Sequence, residues 1–246
     1  MKLSNRLNII ADTADLKAIK KQHSKIKWRV PEKLLSPEKS NTKLAKNGGK
    51  EFVTWGLSFA PATANGFVNV CPSASPGCMG ACLFTSGRGV MQPVKDGRLN
   101  RVFYMLGDTD SFVAQLQREI TNKIRTAKRQ GKIAVFRLNV ISDIGYETGT
   151  DSLPLVKFKG RAHIDLTPVG YSSFPEMIIE LGGIVYDYTK RGKRLKNTGE
   201  YSLTFSRSEI NNAAVLKAVR AGGNGALVFK LPEGFDRLPE FYAGLP

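Results

Sequence analysis

The three cysteines of the chain, Cys71, Cys78 and Cys82, all lie in the stretch Asn69-Val70-Cys71-Pro72-Ser73-Ala74-Ser75-Pro76-Gly77-Cys78-Met79-Gly80-Ala81-Cys82. Pro72, Pro76 and Gly77 interrupt regular structure, so an ordered loop is expected ahead of Cys78. A lone cysteine is ordinarily a small buried hydrophobe. Three in one loop and none elsewhere point instead to thiolates holding a metal or an iron–sulfur cluster. Structural zinc wants four ligands, and the only imidazoles, His23 and His163, are distant in sequence. His163 would complete such a site only if the fold brought it in. Zinc of the deaminase type would set a His-x-Glu beside its ligands, and the chain has none. Three thiolates without a fourth suit a [4Fe–4S] cluster with one iron left open to a non-protein ligand such as S-adenosylmethionine. Reduced, metal-free cysteines are the remaining reading.

The elements around the loop must present it. Phe52 to Phe59 is β-branched and aromatic and reads as a strand ending at Pro61, so the cysteines follow a strand end. Gly77 to Phe84 begins a short helix, and residues 91–106 read as a helix weakened by Gly97. A stronger helix starts from a cap near Asp108 or Thr109. It carries the stripe Phe112, Val113, Leu116, Ile120, Ile124 and Ala127, with Gly131 just beyond. Ile133 to Val140 is a strand, residues 145–172 are irregular, and His163 to Leu166 is a short strand within them. Ser173 caps a helix with Met177, Ile178 and Leu181 inward and Gly182 as its stop. Strands follow at Gly183 to Tyr188 and Tyr201 to Phe205. Ser208 then caps a helix with Ile210, Ala213, Ala214, Leu216 and Val219 inward, and a last strand runs from Ala226 to Phe229. Near the start, Leu7, Ile10, Leu16 and Ile19 give a rough helical stripe.

Alternating strands and helices imply right-handed crossovers and a mostly parallel sheet. The fold class is therefore α/β. With five or six strands, it is a partial (β/α) barrel or an open parallel sheet, preceded by a basic N-terminal arm and linker over residues 1–50. The α/β domain spans residues 51–246. In either form the loops at the C-terminal strand ends make the site.

Those loops carry the other candidates. Asn139, Ser142 and Asp143 either bind a ribose or amino-acid moiety of a cofactor or close a turn through Asx-type bonds. Asp187 lies inside an apolar strand, where an unpaired carboxylate is costly, so Arg137, Lys190 or Arg207 is expected beside it. Tyr186 and Tyr188 flank it on the opposite face and read as packing. Arg88, between Gly87 and Gly89, forms an anion nest or a plain turn. Arg88, Asp187, Lys190, Ser206 and Arg207 are the candidates for an anionic substrate. The run Lys190 to Lys196 is a solvated basic loop or a phosphate-binding face.

The formal net charge is +16, and residues 1–50 hold 13 Lys/Arg against 4 Asp/Glu. Such a field concentrates nucleic acid and other anions around the chain. Aromatics are not interleaved in that basic region, so non-specific backbone attraction is the expectation there. No apolar run is long enough to span a membrane, and the Lys-rich start lacks a signal peptide's apolar core. A cytoplasmic protein is expected.

The runs Thr54 to Pro61, Asn69 to Pro72, Gly77-Cys78, Ala81 to Leu83 and Gly87 to Gly89 resemble the bacteriophage "gene product 88" family. So do Arg137 to Asn139 with Ser142 to Ile144, Tyr186 to Lys190, and Leu203 to Ser206, in the same order. The resemblance covers roughly residues 40–245 and implies a phage context, the cytoplasm of the host and no particular reaction. The cysteine loop is also similar to that of phage gene-product-37-like proteins, which group with radical S-adenosylmethionine enzymes. That similarity implies a cluster rather than zinc, although the spacing here is C-x6-C-x3-C. Gly145-Tyr146-Glu147 stands where related sequences show Trp-Glu. Relatives also continue past the equivalent of Pro246, so a shortened chain is expected. A zinc- or cluster-stabilised nucleic-acid-binding protein without enzymatic activity is the alternative function.

Overall fold

The computed structural model describes residues 5–24, 29–45, 51–196, 198–234, 236–238 and 240–243. The side chain of His23, residues 46–50 of the expected linker, and Pro246 lie outside the described residues. In chain order the strands and α-helices are β1 (Leu7–Ile10), α1 (Thr13–Ser24), β2 (Leu35–Pro37), α2 (Thr42–Ala45), β3 (Phe52–Leu57), α3 (Pro76–Gly80), α4 (Gln92–Gly107) and α5 (Thr109–Arg129). After them come β4 (Ile133–Arg137), β5 (Thr150–Pro154), β6 (Arg161–Asp165), α6 (Phe174–Glu180), β7 (Ile184–Thr189), β8 (Ser202–Ser206), α7 (Asn212–Arg220) and β9 (Asn224–Ala226).

The main sheet has the order β2-β3-β4-β7-β8-β9. Only β2 runs antiparallel to its neighbour. It is an open sheet: among the described residues the two edges do not pair, and no closed barrel forms. From β3 to β9 the strands lie side by side in chain order, so every crossover advances in one direction. With right-handed connections, that places the helices on one face.

The register identifies that face. Trp55, Phe136, Val185 and, through Asp187, Leu203 and Phe205 share it, and all are buried. Lys123 of α5 lies over the Trp55 ring, Gly183 abuts Ile178 of α6 and Ile124 of α5, and Gly225 abuts Val215 and Val219 of α7. Trp55 and Phe136 stack at 5.8 Å between centroids. The long stripe of α5 closes this core: Phe112, Leu116, Ile120 and Ala127 are fully buried, and the Asp108 side chain accepts the Ser111 N–H at its start.

Several sequence expectations change. Residues 145–172 are less irregular than expected: the short strand expected at His163 is present as β6, and β5 joins it and β1 in a second, antiparallel sheet, in the order β1-β6-β5. Leu7 and Ile10 therefore belong to a strand, not to the early helix, because Leu7 pairs with Ile164 across most of the chain. The stretch expected as an extended linker contains β2 and α2, with Leu34, Leu35 and Leu44 buried. The strand at Ile133 stops at Arg137, since the Asn139 N–H turns to the Asp187 carboxylate. Ser208 does not cap α7. Asn211 holds that position, and its side chain reaches back to the Ser208 N–H. Only Val215 of that helix is buried, while Ile210 is 71% exposed. The last strand is β9, which ends where its ladder with β8 ends, leaving Val228 outside it and exposed.

Candidate functional site

The cysteine loop is tied down from several directions. After β3 the chain turns through Pro61 to Gly66, with Ala62 at φ +44°, and Val70 N–H donates to the Ala62 carbonyl. Asn69 N–H donates to Pro154 O, and Asp143 N–H donates to Val70 O at 2.8 Å. The Asn69 side chain accepts the Cys71 N–H, and the Cys71 thiol reaches Ile141 O at 3.6 Å. Further on, Ser75 caps α3 by accepting the Cys78 N–H. Glu209, from the β8–α7 turn, accepts the Gly77 N–H at 2.7 Å and the Ser75 hydroxyl at 2.8 Å. The loop thus lies across the C-terminal ends of β4 and β8.

All three thiols are free and half-buried. Burial pushes the Cys71 thiol up to about 12, against the Ala62 N–H that favours its thiolate; Asp143, Cys82 and Cys78 all lie close enough to push the same way as burial. Arg98 of α4 stands within electrostatic reach of Cys82, and its Nη1 is buried without a hydrogen-bond partner. Cys78 and Cys82 lie within electrostatic reach of Cys71, and the donor chemistry of three thiols beside a guanidinium suits an anionic thiolate-bound group. Among the described residues no three His, Cys, Asp or Glu side chains stand assembled around a metal position. His163 is exposed on β6, in the other sheet, paired with Asn8 and Ser152. An open hollow of about 470 Å³ lies there, lined by Asn8, Ser152 and His163 but by none of the cysteines.

Beneath the loop runs a buried polar network centred on Asp143. Its Oδ1 accepts from Thr189 Oγ1 at 2.7 Å and from Arg194 Nη1 at 2.6 Å, and its Oδ2 accepts the Lys190 N–H at 2.9 Å. Arg194 also donates to both Glu147 oxygens and to the Tyr201 hydroxyl. Tyr201 donates to Asp187 Oδ2 at 2.7 Å, whose Oδ1 accepts the Asn139 N–H. Asn139 Oδ1 accepts from Ser142 Oγ and the Ile144 N–H. Arg191 forms a two-pronged pair with Asp151 at 2.7 and 2.8 Å.

Asp187 is fully buried. Burial pushes its carboxyl up to about 6, against the pull of Arg137, Arg194, Tyr201 and the Asn139 N–H. Burial opposes the charge on Arg194, yet Tyr201, Glu147 and Asp143 together hold its guanidinium more firmly charged than usual.

Asn139, Ser142 and Asp143 therefore lie together, with their side-chain groups bonded inside the protein. Asp187 lies with them, and Arg137 Nε is 3.8 Å from its Oδ1. Lys190 and Ser206 meet at 3.1 Å. Arg207 turns instead to Asn212 and the Tyr242 ring, and Arg88 is exposed on a separate turn, without a bond to this group among the described residues. Of the basic run, Arg191 and Arg194 are committed to carboxylates, whereas Lys193 and Lys196 are exposed. Sequence reasoning missed Glu209 and Arg98, and did not pair Arg194 with Glu147 or Arg191 with Asp151. The even spacing of Asp143, Glu147 and Asp151 opposite a basic run was the available signal.

No helix among the described residues is long and apolar enough to cross a membrane. No curated protein and no solved structure matches the chain. A family model described as "Gene product 88" matches residues 33–240, which takes in the cysteine loop, the Asp143 network and Glu209. That match carries the family and not the radical-enzyme likeness of the cysteine loop. With most of its length matched, the chain belongs to the bacteriophage gene product 88 family.

Proposed function

We propose that the protein is an iron–sulfur protein of radical S-adenosylmethionine type. Cys71, Cys78 and Cys82 are the protein ligands of its [4Fe–4S] cluster, and it acts on an anionic nucleotide or nucleic acid. The observation that carries this reading is the grouping of three free, half-buried thiols, Cys78 and Cys82 within electrostatic reach of Cys71, in one loop at the C-terminal ends of an open parallel sheet. A cluster bound there would supply an electron to S-adenosylmethionine on its open iron. The chain's own residues have distinct parts. Arg98 offsets the negative charge of the thiolate set. Cys71 must give up a proton that burial makes it hold tightly, so loading is favoured by raising pH. Asn139, Ser142 and Asp143 are positioning residues: their side chains are used internally, and Asp143 fixes Val70 next to Cys71. Lys190 and Ser206 face an anionic group at the same rim.

Anaerobic purification with iron, sulfide and zinc analysis tests the reading. About four iron and four sulfide per chain are expected, lost on Cys→Ser substitution at any of the three positions. Reduced protein given S-adenosylmethionine should release 5′-deoxyadenosine. One equivalent of zinc without iron overturns the cluster. Iron without 5′-deoxyadenosine favours the second reading, a nucleic-acid-binding protein stabilised by its metal, which the net charge of +16 supports.

A further inference from the structure

A parallel sheet is normally covered on both faces, because its crossovers and its partners bury it. Here α5, α6 and α7 lie against one face, and the register gives the composition of the other. Across it run Thr54 and Gly56, then Ile133, Val135 and Arg137, then Ile184, Tyr186 and Tyr188, then Ser202, Thr204 and Ser206, then Asn224. The β3 end of this face is covered: Leu44 of α2 packs there with Val140 and Ile141, and a side chain at Gly56 would strike Leu44. The β7–β9 end is more exposed. Ile184 is 42% and Tyr188 39% exposed, and Ser202 and Asn224 are exposed beside them.

Within that area is a built aromatic surface. The Arg137 guanidinium lies 4.7 Å from the Tyr188 ring centroid and 5.9 Å from that of Tyr186. The two rings meet edge to face at 6.4 Å. Arg137 is itself only 8% exposed, and its Nε has no hydrogen bond. A tyrosine held by a buried cation and an orthogonal ring is a stiff, polarised plate. Lys190, two residues beyond Tyr188, meets Ser206 of the same face at 3.1 Å, on a chain of net charge +16. Hydroxyls of Ser202, Thr204 and Ser206 lie alongside.

We propose that this exposed part of the sheet face binds single-stranded nucleic acid, with a base stacked on Tyr188 and the adjoining phosphate drawn to Lys190. A flat aromatic on a sheet with hydroxyls and a neighbouring lysine suits an unpaired base. Duplex DNA keeps its base faces inside the stack. The inference deepens the nucleic-acid part of the function proposed above and is independent of the cluster.

The test is fluorescence anisotropy of a labelled oligothymidylate with the metal-free chain at low salt, so that failure of the cluster reading leaves it intact. Tyr188→Ala should weaken binding about tenfold or more, the range expected for loss of one stacked base, whereas Tyr188→Phe should bind as the unchanged protein does. Ile184→Glu should weaken it as well, and Val169→Ala, exposed elsewhere, should not. Circular dichroism checks that each variant is folded. Three results would overturn the proposal: no binding, Tyr188→Ala binding as tightly as the parent, or a duplex competing as well as the single strand. Sedimentation showing a dimer that Tyr188→Ala dissociates would also overturn it, by assigning the face to a second copy.

Discussion

Arg194 Nη1 lies 2.6 Å from Asp143 Oδ1, with the Arg194 side chain 2% exposed and that of Asp143 9%. The same guanidinium reaches Glu147 at 2.9 Å. One arginine from the basic run after β7 thus satisfies two carboxylates of the loop after β4. Removing one partner of a buried ion pair leaves the others charged and desolvated, which costs more than the pair contributes net.

Arg194→Ala is accordingly expected to lose about 3–5 kcal/mol of stability, read as a shifted midpoint in urea denaturation. Arg194→Lys should recover only part of this, because an ammonium cannot fork to Asp143 and Glu147 together. A loss below about 1 kcal/mol, the range of an exposed pair, would show that the network is open to water.

Asp187 gives the stability a pH signature. Its carboxyl is raised from 3.8 to about 6 by burial, so the folded state binds the proton more tightly than the unfolded chain does. The associated stabilisation is complete below about pH 4 and is lost as pH rises through about 6. The difference amounts to about 3 kcal/mol between those limits. Comparing unfolding of Asp187→Asn with the parent between pH 4 and pH 7 isolates it: the parent should lose stability relative to the variant as pH rises. A constant difference would mean that Asp187 is ionised throughout.

Cys71 should resist alkylation in the metal-free protein. With its thiol pushed to about 12 by burial, little thiolate exists at pH 8. Timed iodoacetamide labelling with mass spectrometry should show Cys71 modified at least about tenfold more slowly than free cysteine. Equal rates would place it in a solvated, activated setting.

The sequence made the covered side of the molecule legible and left the polar interior obscure. The stripe from Phe112 to Ala127, the Ser173 cap and the strand at Ile184 are local patterns, and each appears close to where periodicity places it. The second sheet is non-local, since Leu7 finds Ile164 only once the fold exists. Yet Ala162 and Ile164 are buried between exposed Arg161 and His163, an alternation that was readable. Arg194 was hidden among lysines that are exposed, because composition cannot separate a solvated cation from one aimed at carboxylates some fifty positions earlier. The cysteines were legible as a cluster. Glu209 was not, since nothing near it in sequence refers to them.

That last contact has a reach beyond holding α3 in place. Glu209 lies 132 positions from Gly77, yet its carboxylate spans the gap between two loops at the same rim. Whatever orders the cysteine loop must also favour the turn that carries Glu209, and by reciprocity an occupant beside that turn must tighten the cysteine loop by the same free energy. The rim would then answer to two occupants at once, each registering the other through one carboxylate.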